Sequence, residues 1–482
     1  MRTLEKYANL NLLWVFPIIV PLGTILLSFY LQEWYWGLMD DHAILGSGNN
    51  FTERLVNDFG ARGFSAGRMQ FTFSLRSAIF YTWFKHNPVM LHFLKWTEAC
   101  LMLIVWGNAV RKISGDQFAA LIFATVALSF HYLYDTFFFI STHEVLGLLF
   151  WGLALNYFLA ALEVEPQTQL IPRWAPGLLC STLAITTKEP MVAVGIALGL
   201  SLILLAFVDK HHSRRALLIG GLLLTGSLGY ALFIKFGMTP SSHASSYSLT
   251  NMPRILSSLS SWVNKDLFNH SPWLAIVIMA GFAASGSSAR LRLGPLFTPR
   301  QKWGMLIGGI LYGVYFLILL PWNTTAYYAG PLGVFFAIPV AIFVAQILPH
   351  TSIVLQALTP VAALLINILV SQWALTRESL YHYDTQNLMA WIRGNPEFRA
   401  AAAAELVYCN AWEGGGAIPA HLERDFGVSM PSFKYQGLNQ SYFRGGEIMI
   451  YTPRFGSTTD VFAQDVWNTI FYSKFWQVYV HK

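Results

Sequence analysis

Apolar runs long enough to cross a bilayer decide what this chain can be. A membrane-spanning helix needs about 20 mostly apolar residues. Such runs lie at approximately 11–32, 88–108, 117–134, 143–162, 174–187, 190–208, 215–236, 271–285, 304–322, 329–348 and 352–373, eleven in all. No soluble core could hide that many. Charged residues are only 12% of the 482, about half the roughly one quarter typical of soluble globular chains. Mean hydropathy is +0.46. Collagen-like, disordered and disulfide-scaffold classes are excluded, as is a soluble enzyme of ordinary design. Cys100 and Cys180 fall inside apolar spans, which leaves Cys409 without an obvious partner and predicts no disulfide. The first run is too long for a signal h-region and lacks an A-x-A site, so it reads as a retained anchor.

Orientation follows from the basic residues, which favour cytoplasmic loops. With the N-terminus (Arg2, Lys6) in the cytoplasm, alternate connections carry Arg111 and Lys112, Arg173, then Lys210, Arg214 and Arg215, then Arg290, Arg292, Arg300 and Lys302. The short opposite connections carry almost none, Lys188 being the exception. The net charge of +6 is therefore accounted for by topology, and nucleic acid is not an expected partner. An odd number of spans puts the C-terminus outside.

Three external segments are too long to be turns. The first connection, 33–87, is aromatic, holds Arg54, Arg62, Arg68 and Arg76, and suits amphipathic helices at the membrane surface. A second, 237–270, is Ser-rich and polar. The tail, 374–482, holds 19 of the chain's 31 basic and 25 acidic residues. It mixes helix-like runs (384–393, 397–404) with strand-like ones (405–409, 447–451, 476–480). The expected architecture is a polytopic α-helical membrane domain over 1–373 and a small external α/β domain over 374–482.

The remaining polar residues gather at the external ends of the spans: Asp40, Asp41 and His42; Asp135, His143 and Glu144; Lys188 and Glu189; Asn323, Tyr327 and Tyr328. Channels and pumps place such groups nearer the midplane. One depth at the outer interface suits a site supplied from the lipid. Asp40-Asp41 follows the aromatic belt Trp34-Tyr35-Trp36, where a carboxylate can act as general base on a sugar hydroxyl. Equally, one of the pair can cap a helix starting at His42. Lys188, between two apolar helices, is placed to hold a phosphate, or simply to pair with Glu189 while Thr187 caps the next helix. Ser141-Thr142-His143-Glu144 has capping-box spacing. Arg62, Arg68 and Arg76 can clamp a phosphate or snorkel to lipid headgroups. Lys95 and Glu98, at i and i+3, suit an intramembrane ion pair. No metal-ligand spacing and no Gly-rich phosphate loop are present, so neither a metal nor a cofactor is expected.

In this arrangement the chain resembles the GT-C integral-membrane glycosyltransferases, which take sugars from polyprenyl-phosphate carriers. The resemblance rests on Asp40-Asp41 in a long first external connection, on Asp135, Glu144 and Lys188 in later ones, and on an external α/β tail. Bacterial and phage O-antigen glucosyltransferases are the nearest in pattern, with Gly67-Arg68 following the acidic pair. The first 200 residues carry most of the likeness. It implies an inverting displacement on the periplasmic side of a bacterial inner membrane, without a metal, from a polyprenyl-phosphate-sugar donor to a glycan or lipopolysaccharide-type acceptor. Asp40 or Asp41 would be the base; Lys188, Arg68 and Arg76 would hold the donor phosphate. His42, Asp135, His143, Glu144, Glu189, Asn323, Tyr327 and Tyr328 would support the site. Two other functions share parts of the pattern: a polymerase or ligase for lipid-linked glycans, and a transporter with an external lid.

The topology is directly testable. With single cysteines introduced along the chain, an impermeant maleimide should label positions in 237–270 and 380–482 in intact cells. Positions in 210–215 and 290–302 should stay dark. Labelling of Arg290→Cys from outside would invert the orientation.

Overall fold

The computed structural model describes residues 50–62, 70–84, 87–138, 140, 142–163, 170–208, 213–237, 297–320, 326–350, 353–404, 407–409, 445–451 and 467–482, with a few short pieces at 15–23 and 253–260. Expected spans 11–32 (apart from a few of those residues) and 271–285 lie outside it. The first connection contributes two helices, α1 (Phe51–Arg62) and α2 (Phe71–Phe84). The bundle follows as α3 (Pro88–Ser114), α4 (Gln117–Leu128), α5 (His131–Phe138), α6 (Glu144–Leu162), α7 (Leu170–Ile185), α8 (Pro190–Val208), α9 (Ser213–Gly237), α10 (Pro299–Leu319), α11 (Gly330–Ile347) and α12 (Ile353–Gly394). A short 3₁₀ turn, Ala326–Ala329, leads into α11. Among the described residues, seven helices are long and apolar enough to cross a membrane: α3, α6, α8, α9, α10, α11 and α12.

Local chemistry sets these ends. Asn87 caps α3, its side chain accepting from the Met90 amide, with Pro88 in the first turn. The helix stops at Gly115, whose φ of 76° only glycine adopts without strain. Asp116 then starts α4 by accepting from the Phe118 amide at 2.8 Å. Deeper in the bundle, α8 and α9 approach to backbone contact at Gly199 and Gly220, where an added Cβ would sit 2.8 Å from a main-chain atom on either side. Small residues permit such close packing where lipid offers no hydrophobic drive.

Two expected boundaries are corrected. Span 117–134 is not one helix: α4 ends and α5 leaves it at a bend of 81°. Ser129 turns its hydroxyl back to the Val126 carbonyl at 2.7 Å. The buried Phe130 ring then packs where any side chain on Gly333 would stand. Hydropathy alone cannot register such a break, because both halves are apolar. Span 352–373 does not end near 373 either. α12 is 42 residues long, about 63 Å at 1.5 Å per residue, twice the roughly 30 Å hydrocarbon core. Nothing in 361–393 stops it, since the next glycine and proline are Gly394 and Pro396.

The distal half of α12 carries the tail. Tyr381, Leu388, Met389 and Ile392 form one face of it and, with Phe398 of α13 (Pro396–Ala403), cover Val407, Ile448, Ile450, Trp476 and Val478. All of those residues but Trp476, which precedes β4, come from a four-stranded sheet of β1 (Val407–Cys409), β2 (Ile448–Tyr451), β3 (Trp467–Tyr472) and β4 (Gln477–His481), in the order β1-β2-β4-β3. β1 runs parallel to β2; the other pairs are antiparallel. Asp384 accepts from the Phe475 amide at 2.8 Å and Thr385 from the Trp476 indole at 3.1 Å, fixing the sheet to the helix.

The connections sort to two ends. At one, Arg300 pairs with Glu163 at 2.6 Å, Arg215 donates to the Leu162 carbonyl at 3.0 Å and Gln301 to the Ser114 carbonyl at 2.8 Å. This is the basic end. The distal part of α12 lies at the opposite end, where His382 meets His92 of α3 with ring centroids 6.1 Å apart.

Candidate active site

The end opposite the basic connections is polar and buried, and four stretches of chain meet there. The start of α2 is tied to the turn between α7 and α8. The Thr72 amide donates to the Thr186 carbonyl at 3.1 Å, their hydroxyls lie 2.6 Å apart, and Gln70 reaches both carboxylate oxygens of Glu189 at 3.3 Å. Next to them, His143 lies against Phe73, ring centroids 3.5 Å apart. The segment that holds α2 therefore packs on the connections that precede α6 and α8.

Arg76 does the same work one turn further along α2. Its Nε and Nη2 each donate to one oxygen of Glu98 at 2.9 Å, and its Nη1 donates to the Ile140 carbonyl at 3.1 Å. Both side chains are buried. This bidentate geometry is the strong form of an Arg–carboxylate contact. Glu98 is thus committed to Arg76 rather than to Lys95, correcting the expected i, i+3 pair. Lys95 donates to the Thr142 carbonyl at 2.5 Å, and the Thr142 hydroxyl donates to the Thr136 carbonyl at 2.6 Å.

At the centre stand Lys188 and Glu144. The ammonium donates to Glu144 Oε1 at 2.6 Å and sits 4.1 Å from the centroid of the Tyr328 ring. Lys188 is 3% exposed and Glu144 is fully buried. Burial pulls the lysine's pKa down, but Glu144, Tyr328 and Glu189 more than offset it, and the net direction is upward. Lys188 bonds to Glu144 across 44 positions, with Glu189 also acting on its charge, and Thr187 returns its hydroxyl to the Ala184 carbonyl at 2.6 Å. Helix α6 begins at Glu144 with His143 at the cap position and no side-chain cap bond, so Glu144 is not the third residue a capping box needs. At the first turn its charge suits the helix dipole.

Of the residues proposed from sequence, Arg76, His143, Glu144, Lys188, Glu189 and Tyr328 come together here. Asp135 lies in α5 and Tyr327 in the 3₁₀ turn. Asp40, Asp41, His42, Arg68 and Asn323 lie outside the described residues. Sequence reasoning missed Gln70, Thr72 and Thr142, which contact through ordinary hydrogen bonds and carry no pattern. It also missed Tyr315, an apolar-span residue within Coulombic reach of Glu144 and Tyr328. Among the described residues no three His, Cys, Asp or Glu side chains group as metal ligands.

No family model matches this sequence and no curated protein does. A solved structure does. The chain is similar to the crystal structure of ArnT from Cupriavidus metallidurans bound to undecaprenyl phosphate, with 12% identity, 96% of this chain and 97% of that one covered, and a TM-score of 0.54. The fold is ArnT-like. At that identity the likeness is one of architecture, and it bears out the expected polytopic α-helical membrane fold with a small C-terminal domain.

The Arg76–Glu98 pair offers a stability test. Removing one partner of a buried pair costs about 3–5 kcal/mol, whereas replacing both with apolar residues of similar size is often neutral. Glu98→Gln should therefore lower thermal stability in detergent markedly, and the double variant Arg76→Met/Glu98→Met should recover most of the loss. Strict additivity of the two single effects would show that the pair is not coupled.

Proposed function

We propose that this chain transfers a sugar from a polyprenyl-phosphate carrier to a glycan or lipopolysaccharide-type acceptor, at the periplasmic face of a bacterial inner membrane. The observation that carries the proposal is the buried Lys188 ammonium, held between Glu144 and the Tyr328 ring where the non-basic connections converge. A buried ammonium at that end, in the fold of a protein crystallised with undecaprenyl phosphate, suits a lipid phosphate head. Arg76 is committed to Glu98 and Ile140, so Arg68 is assigned as the second phosphate ligand and Arg76 as its support.

In the reaction proposed, an Asp40 oxygen takes the proton of the acceptor hydroxyl. The hydroxyl oxygen attacks the anomeric carbon from the face opposite the phosphate. The bond from that carbon to the phosphate oxygen breaks, and polyprenyl phosphate leaves with the bonding electrons, inverting the anomeric centre. Lys188 and Arg68 hold the charge that develops on the leaving group, the contribution expected of preorganised cations. Asp41 holds the acceptor or caps the following helix. The tail sheet, mounted on α12 at the same end, would flank the acceptor's approach.

General-base contributions run to about 10²–10⁴-fold. Asp40→Asn should lose that much sugar transfer while still binding undecaprenyl phosphate, and Asp41→Asn should lose less. Lys188→Ala should lose lipid-phosphate binding, with its thermal stability measured alongside because Glu144 is left buried without its partner, and Lys188→Arg should retain part. A dead Asp41→Asn beside an active Asp40→Asn would exchange their roles. Normal transfer by both would leave the site without a base.

A further inference from the structure

Glu144 carries more than one partner's share of the central pair. Its Oε1 accepts from Lys188 at 2.6 Å. Its Oε2 is buried and has no hydrogen-bond partner among the described residues. The Tyr315 hydroxyl, also fully buried and unpartnered among them, lies within Coulombic reach of the same carboxylate. A buried carboxylate with one oxygen unsatisfied is costly, and a helix N-terminus alone does not require one. What does require a negative charge here is Lys188, because an isolated buried ammonium would shed its proton.

We infer that Glu144 is a positioning residue: it stands in for the donor phosphate, keeping Lys188 charged and aimed along the Tyr328 ring until the lipid head arrives. The inference rests on the reading of Lys188 as the phosphate ligand and adds the device that makes this ligand usable in a dry site. The groups acting on the ammonium are Glu144 from α6, Tyr328 from the 3₁₀ turn and Glu189 from its own turn. Burial works against the charge and these groups restore it, Glu144 foremost.

Two opposed consequences follow when Glu144 is made neutral. Where Lys188 keeps its proton, loss of a nearby carboxylate relieves repulsion of the incoming phosphate, and binding should hold or tighten. As pH rises, burial is no longer balanced, the ammonium deprotonates earlier, and binding should fall. A residue that merely filled space would shift affinity equally at every pH.

The experiment measures undecaprenyl phosphate binding to the full chain in detergent from about pH 6.5 to about pH 9.5 for wild type, Glu144→Gln, Glu144→Asp and Lys188→Ala. Relative to wild type, Glu144→Gln should bind as well or better at the acid end and lose at least about tenfold at the alkaline end, one pKa unit corresponding to one decade. Glu144→Asp, which keeps the charge on a shorter side chain, should fall between the two profiles. A flat ratio of Glu144→Gln to wild type across pH, with Lys188→Ala defective, overturns the inference and leaves the phosphate reading standing. Wild-type binding by Lys188→Ala overturns that reading itself. If Glu144→Gln does not fold, the double variant Lys188→Met/Glu144→Leu, freed of both charges, replaces it as the fold control, and Glu144→Asp carries the test: an alkaline loss steeper than that of wild type, with unchanged thermal stability, supports the inference, whereas a loss uniform across pH refutes it.

Discussion

Lys188 and Glu144 can be buried only together. Either charge alone in a dry environment would be neutralised by a shifted pKa or would destabilise the fold. Their meeting brings the start of α6 to the turn before α8, while Tyr328, at the entry to α11, closes over the ammonium. Thr72, Gln70 and Arg76 then fasten α2 of the first connection over the same place. The polar end of the bundle is organised around this ion pair, and the hydrogen bonds of Thr72, Gln70 and Arg76 meet part of the demand that buried polar groups find partners.

The opposite end uses charge differently. Arg300 and Glu163 remain partly exposed, and Arg215 and Gln301 bind helix-end carbonyls that have no partner in their own helices. Exposed pairs of this kind contribute little to stability. Two kinds of cation thus divide the molecule: partly exposed ones at this end, and buried Lys188, Lys95 and Arg76 at the other.

Much of this was legible in the sequence. The apolar runs located the helices that described residues cover, because a bilayer demands length and hydrophobicity together. The alternating tail runs located β1, β2 and β4 within a residue or two, and Gly and Pro marked their limits. β3 was not legible: Trp467–Tyr472 is an edge strand with mostly exposed side chains and no clean alternation. The bend after Leu128 and the continuation of α12 to Gly394 were missed for a shared reason. Hydropathy reports where a helix enters lipid but neither where a ring packing on Gly333 turns the chain nor where a helix persists beyond the membrane. At the site, the sequence placed Glu144 and Lys188 at one depth without pairing them, since 44 intervening positions leave no local spacing to read. Glu98 was given the wrong partner because Lys95 is near in sequence whereas Arg76 arrives only through packing.

The central claim is that a polyprenyl phosphate binds with its head at Lys188. It is tested most directly by photocrosslinking undecaprenyl phosphate carrying a diazirine near the phosphate to the full chain in membranes, followed by peptide mapping. The account predicts adducts in peptides containing 186–189 and 326–329, suppressed by excess unmodified undecaprenyl phosphate. Adducts confined to the opposite end, around Arg111, Arg215 and Arg300, would contradict it.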